Sequence, residues 1–142
     1  MNDLQVLIVE DHPIQQRLLR LLTESAGLSP LVVVNGKEAL KALHTLDGRL
    51  VLILMDVRMN EMDGLECTRL IRQRELKTGR HVPIIAITAA AMYGDREKCL
   101  EAGMDDYLSK PFSLDAFRAK ITMWLEKNNV HSTDVQDQRP KV

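Results

Sequence analysis

Five residues with reactive side chains stand at or just past the ends of short apolar runs. Glu10 and Asp11 follow Leu4–Val9, Asp56 follows Leu50–Met55, Thr88 closes Val82–Thr88, and Lys110 comes just after Asp106-Tyr107-Leu108. If those runs are parallel strands, their carboxyl ends share one rim and the five groups converge. Three carboxylates crowded on a rim repel one another, and a hard divalent cation with oxygen ligands relieves the repulsion. Mg²⁺ suits such a place because it accepts few protein carboxylates, keeps several waters and bridges to phosphate oxygens. Lys110 adds a mobile positive charge and Thr88 a hydroxyl donor. One nucleophilic carboxylate among groups that neutralise a transferring phosphoryl implies formation of an aspartyl phosphate.

The elements that must position these groups alternate along the chain. The runs ending at Val9 and Met55 read as buried parallel strands, with Pro30–Val34 and Val82–Thr88 as two more and Asp106–Leu108 as a short fifth. Ile14, Leu18, Leu21 and Leu22 recur at helical spacing between Pro13, which suits a first helical turn, and Gly27, which suits a stop. Ala39, Leu40 and Leu43 mark a second helix, Leu65 to Lys77 before Gly79 a third, and Met92 to Ala102 before Gly103 a fourth. In the fifth, Leu114, Phe117, Ile121, Trp124 and Leu125 fall on one stripe behind Ser113 as N-cap, with Trp124 as a core anchor. Five strand–helix alternations predict an α/β fold, an open parallel sheet with helices on both faces. In such sheets chemistry gathers at the carboxyl ends of the strands.

The 142 residues are 45% hydrophobic, enough for one self-sufficient core. Lys plus Arg number 19 against 20 acidic residues, so no global charge draws the chain to nucleic acid or to an anionic membrane. No apolar run approaches the ~18 residues of a membrane span. Cys67 and Cys99 form neither a C-x-x-C pair nor a zinc-ligand spacing, as expected of thiols in the reducing cytoplasm. Residues 1–127 are expected to form the domain, and the polar segment 128–142 a frayed tail with no fold of its own.

With these residues in order, the resemblance becomes specific. Leu-Ile-Val-Glu10-Asp11, Ile-Leu-Met-Asp56 followed by Met62-Asp63-Gly64, Ala86-Ile87-Thr88-Ala89, and Tyr107-Leu-Ser-Lys110-Pro111-Phe112 resemble the signature blocks of response-regulator receiver domains. The similarity spans residues 4 to 125, and its wording around Gly94–Cys99 and Gly103–Tyr107 is similar to receivers of hybrid sensor histidine kinases. The resemblance implies a doubly wound, flavodoxin-like sheet of strand order 2-1-3-4-5. It implies Asp56 as phosphoacceptor, Asp11 as a direct Mg²⁺ ligand with Asp56, Glu10 acting through water, and the main-chain carbonyl of Arg58 as a further ligand. Lys110 would pair with the phosphoryl oxygens, Thr88 and Tyr107 would form the switch, and the Lys110–Pro111 bond would be cis. The implied partners are a histidine kinase or histidine-containing phosphotransfer domain, and a downstream protein on the face of the fourth helix, fifth strand and fifth helix. The chain departs from the family at Met59-Asn60, where Met-Pro is most frequent, though asparagine also suits a turn.

Blander readings stand beside these. An acidic residue after a strand is usually a turn former or cap, and Asp63 and Asp105 keep that reading; Asp106 has no assigned chemistry. His12 beside the acidic pair is a poor match to a hard cation, His44, His81 and His131 read as surface residues, and Met55, Met59, Met62 and Met92 as gap filling. An aspartyl-phosphate phosphatase of the haloacid-dehalogenase type would need an acid two residues after the nucleophile, where Arg58 stands. No G-x-x-x-x-G-K-[ST] or G-x-G-x-x-G motif occurs, and Glu10-Asp11-His12-Pro13 is no flavin phosphate loop. The remaining rival is a pseudo-receiver, an interaction module without phosphorylation. The receiver itself is expected to act on no separate substrate, catalysing only its own phosphorylation and dephosphorylation. The opening Met1 suits a stand-alone regulator, with an excised C-terminal receiver of a hybrid kinase as second reading.

Overall fold

A computed structural model describes residues 4–46, 48–58, 62–88 and 95–128. Strands β1 (Gln5–Val9), β2 (Ser29–Val33), β3 (Leu50–Asp56), β4 (Ile84–Thr88) and β5 (Asp106–Ser109) alternate with helices α1 (Pro13–Ser25), α2 (Gly36–Thr45), α3 (Gly64–Thr78), α4 (Asp95–Ala102) and α5 (Leu114–Lys127). All strand pairs are parallel, in the order β2-β1-β3-β4-β5. The doubly wound sheet therefore forms as expected, with β1 and β3 side by side and their carboxyl ends together.

Because side chains alternate across a strand, each central strand feeds two cores. Val6, Ile8, Leu52, Leu54, Ile85, Ile87 and Leu108 meet Leu19 of α1 and Phe117, Ile121 and Leu125 of α5. Leu7, Val9, Ile53, Met55, Ile84 and Ala86 meet Ala39 and Leu43 of α2, Cys67 and Ile71 of α3, and Cys99 of α4. Every residue of β3 and β4 is buried, which explains their uninterrupted apolar character.

The helix signals hold in part. Pro13 opens α1, the Asn35, Asp63 and Ser113 side chains cap α2, α3 and α5, and Gly79 ends α3 at φ +74°. Of the four spaced apolar positions of α1, only Leu22 packs against a core. Ile14, Leu18 and Leu21 are 72%, 42% and 57% exposed, whereas Leu19 and Thr23 are buried and Leu22 packs at the edge of the first core. Apolar residues cover more of this helix than the sheet can bury, so spacing alone could not choose the face. Trp124 is likewise a core-edge residue: its ring is half-buried and its indole N–H donates to Asp106. Asp105 caps nothing; it accepts from Arg72 Nη2 at 2.6 Å and from the Ile84 amide at 2.8 Å, and pairs with His81 Nε2 at 2.8 Å. The Met59-Asn60 turn, Met92 with the expected opening of α4, His131 and the tail beyond Asn128 lie outside the described residues.

Candidate functional site

β1 and β3 are neighbours in register, with Val9 opposite Met55, so Glu10 and Asp56 leave the sheet side by side. The ligand oxygens of Glu10, Asp11 and Asp56 all lie within 4.8 Å of one another. Glu10 is 1% and Asp56 8% exposed, while Asp11 is partly open to solvent. β4 brings buried Thr88 to the same rim, and Lys110, just past β5, places Nζ 3.5 Å from Glu10 Oε1. Glu10, Asp11, His12, Gln15, Asp56, Arg58, Thr88 and Lys110 line one cavity of about 300 Å³. The rim inferred from the sequence thus exists as one place.

Local bonds hold the carboxylates in position. The Arg58 amide donates to Asp56 Oδ1 at 3.2 Å and the His12 amide to Glu10 Oε2 at 3.1 Å. Gln16 Nε2 donates to the Glu10 carbonyl at 2.7 Å, tying the first turn of α1 to the end of β1. Behind Asp56, α3 starts so close that a Cβ on Gly64 would overlap the Asp56 carbonyl oxygen and lie 2.9 Å from Val57 Cα, so glycine alone fits there. The Lys110–Pro111 bond is cis, as the resemblance implied. Tyr107 lies away from the cavity, opposite Ala86 on β5 and against the second core.

The electrostatics suit a cation. Burial raises the Asp56 pKa, and the charge of Glu10 and a carboxyl–carboxyl hydrogen bond to it raise it further. Lys110 and the Arg58 amide oppose them, and the balance is a rise from 3.8 to about 7. The acid is thus paired with a neighbouring carboxylate that disfavours its ionisation. Three oxygen donors of this kind fit a hard divalent ion far better than a soft one. Imidazole is not among them: His12 stands at the N-cap position of α1 with no side-chain cap bond, and its exposed side chain only lines the mouth.

Gln15, Gln16 and the amides of His12 and Arg58 were not singled out from sequence. The signal that could have found them is position: a first helical turn directly after two carboxylates must face back toward them. Cys67 is buried, its thiol pushed up to about 12 by burial and then by Asp63 and Glu66.

A family model described as the response regulator receiver domain matches residues 6–122. Hybrid signal transduction histidine kinase I of Dictyostelium discoideum is 39% identical over 136 residues, which cover 91% of this chain and 8% of that protein. The chain thus spans a small part of the length of such relatives. The solved receiver domain of the sensor histidine kinase PA1611 of Pseudomonas aeruginosa PAO1, which has a magnesium ion coordinated in its active-site cleft, superposes with TM-score 0.78 and 40% identity over 87% of this chain and 98% of that one. The receiver domain of Ssk1 of Saccharomyces cerevisiae, crystallised with the histidine phosphotransfer protein Ypd1, gives TM-score 0.77 and 36% identity over 87% and 89%. The order of signature blocks, the 2-1-3-4-5 sheet and a match over most of the length agree, and the chain belongs to the response regulator receiver domain family of phosphorelay systems.

Proposed function

We propose that this receiver takes a phosphoryl group from a phosphohistidine onto Asp56. The observation that carries the proposal is the convergence of Glu10, Asp11 and Asp56 within 4.8 Å, with Lys110 Nζ 3.5 Å from Glu10. In the transfer the P–N bond to the donor imidazole breaks and a P–O bond to the Asp56 carboxylate forms. Mg²⁺, when bound, supplies the charge that keeps Asp56 ionised and neutralises the phosphoryl oxygens. Asp11 and Asp56 would hold it directly, with the Arg58 carbonyl, and Glu10 through water. Lys110 turns from Glu10 to the phosphoryl oxygens, and Thr88 offers its hydroxyl to them. The chain carries out only its own phosphorylation and dephosphorylation, and its setting is the cytoplasm; no helix among the described residues is long and apolar enough to cross a membrane.

The donor is a histidine kinase or phosphotransfer domain, and α1 supports a docking place for it. This helix begins at the cavity mouth with His12 and Gln15, and carries Ile14, Leu18 and Leu21 outward into solvent. Thr88 and Tyr107 act as the switch, and the downstream partner reads the face of α4, β5 and α5, where Leu100, Leu114 and Met123 are exposed. Incubation with acetyl phosphate and Mg²⁺, followed by intact mass and peptide mapping, should place one acid-stable, base-labile phosphoryl on Asp56. Wild-type labelling in Asp56→Asn would overturn the assignment. The intact rim favours this reading over a pseudo-receiver.

A further inference from the structure

Asp106 opens β5 and is 6% exposed, yet it takes no part in the cavity. Its carboxylate is a junction. Oδ1 accepts from Lys120 Nζ at 2.9 Å and from the Tyr107 amide at 2.8 Å, and Oδ2 accepts from Trp124 Nε1 at 2.7 Å. Burial alone would push this acid up. The bonds from Trp124, Lys120 and the Tyr107 amide outweigh it and hold the carboxyl below its ordinary value, so the junction is an anion at neutral pH.

Strand alternation gives the junction its meaning. Asp106 and Leu108 face α5 and the first core, whereas Tyr107 packs against the second core. One carboxylate is thus held by α5 on one side of the sheet and itself holds the backbone of the residue that faces the other side. Two donors come from successive turns of α5, four residues apart on one side of the helix. The Trp124 ring is steadied further by Lys127, whose Nζ lies 4.8 Å from the ring centroid.

We propose that Asp106 is a positioning residue that couples the backbone of Tyr107 to α5 through Lys120 and Trp124, so that α5 follows the state of the phosphorylation switch. The proposal rests on Asp56 being the acceptor and Tyr107 part of the switch. A change in the strand at Tyr107 reorients its amide, and the carboxylate then redistributes its bonds between the amide and the two α5 donors. The single tryptophan of the chain makes this visible, since the indole N–H is one of those donors.

The test follows the Trp124 indole and the α5 backbone by NMR with and without Mg²⁺ and beryllofluoride, alongside acetyl phosphate labelling read by mass. In wild type both sets of signals should move together with Thr88 and Tyr107. Asp106→Asn should label on Asp56 and keep the Thr88 response, yet lose more than half of the α5 response. Trp124→Phe, which keeps a ring and removes the N–H, should reproduce that loss and decides the matter should Asp106→Asn fail to fold. A merely structural role would lower the melting temperature and leave the α5 response intact. Full α5 response in the folded variants, or an unmoved indole in wild type labelled on Asp56, overturns the coupling alone. No label on Asp56 removes both the acceptor reading and the coupling.

Discussion

At the Asp56 carboxyl, burial and a neighbouring carboxylate act together. Its pKa stands near 7 in the folded, metal-free chain against 3.8 ordinarily, so between those values the folded state binds more protons than the unfolded one. The protonated site contributes stability that is full below about pH 4 and is lost as pH rises through about 7. The expected outcome is a metal-free melting temperature that falls between pH 5.5 and pH 8, and Mg²⁺ that stabilises far more at pH 8 than at pH 5.5. Asp56→Asn should flatten that slope, as thermal scans in chelator and in Mg²⁺ can read. An equal slope in the variant would mean that other groups carry it. Asp11→Asn should remain folded but bind Mg²⁺ at least about tenfold more weakly, measured by calorimetry, because it removes one of three clustered carboxyl groups. At this scale Glu10, Asp11, Asp56, Thr88 and Lys110 were legible because each ends an apolar run or follows one closely. Asp105 and Asp106 were not, since their partners Arg72, Lys120 and Trp124 are distant in sequence and meet them only through packing.

Elements were read with unequal success, and α1 shows why. Its start and stop were marked by Pro13 and Gly27, but its rotation depends on which side β1 and β2 leave to be covered. The buried side is Leu19, Leu22 and Thr23, so of the four spaced apolar positions only Leu22 faces the core, and Ile14, Leu18 and Leu21 face solvent. That departure becomes a prediction, because an exposed apolar stripe beside the cavity is available to a donor. The double variant Ile14→Ala, Leu18→Ala should change stability little, within about 0.5 kcal/mol per site, yet slow transfer from a phosphohistidine protein while leaving acetyl phosphate labelling unchanged. Leu19→Ala should instead cost about 2–4 kcal/mol in denaturant unfolding, as expected for a buried leucine. Equal loss with both donors in the double variant would place its effect in the cavity rather than in docking. Gly64 makes the corresponding point for α3: the Met62-Asp63-Gly64 block stands among the signature residues, but only the overlap with the Asp56 carbonyl explains why no side chain is tolerated.

Across the whole molecule, the sheet separates the carboxylate cavity and both cores while connecting them. Thr88 has the same strand parity as Ile84 and Ala86, so it and Tyr107 share the face covered by α3 and α4. Lys110 donates its amide to the Thr88 carbonyl at 2.7 Å, and Thr88 pairs with Ser109, two residues beyond Tyr107. A cavity of about 50 Å³ is lined by Val57, Arg58, Leu65, Thr88, Lys98 and Cys99. New phosphoryl oxygens on Asp56 would draw the Thr88 hydroxyl toward the rim, and space behind it would open to the Tyr107 ring. That would be a two-state packing change, biased by phosphorylation rather than created by it. Beryllofluoride with Mg²⁺ should therefore shift backbone signals of residues 95–102 and 106–116 well beyond those at the far end of α1. Thr88→Ala should still accept phosphoryl on Asp56, more slowly, but show a much smaller shift at Tyr107. If wild type and Thr88→Ala respond alike at Tyr107, the hydroxyl is not the link, and the signal must leave the cavity through Lys110 and the end of β5 instead.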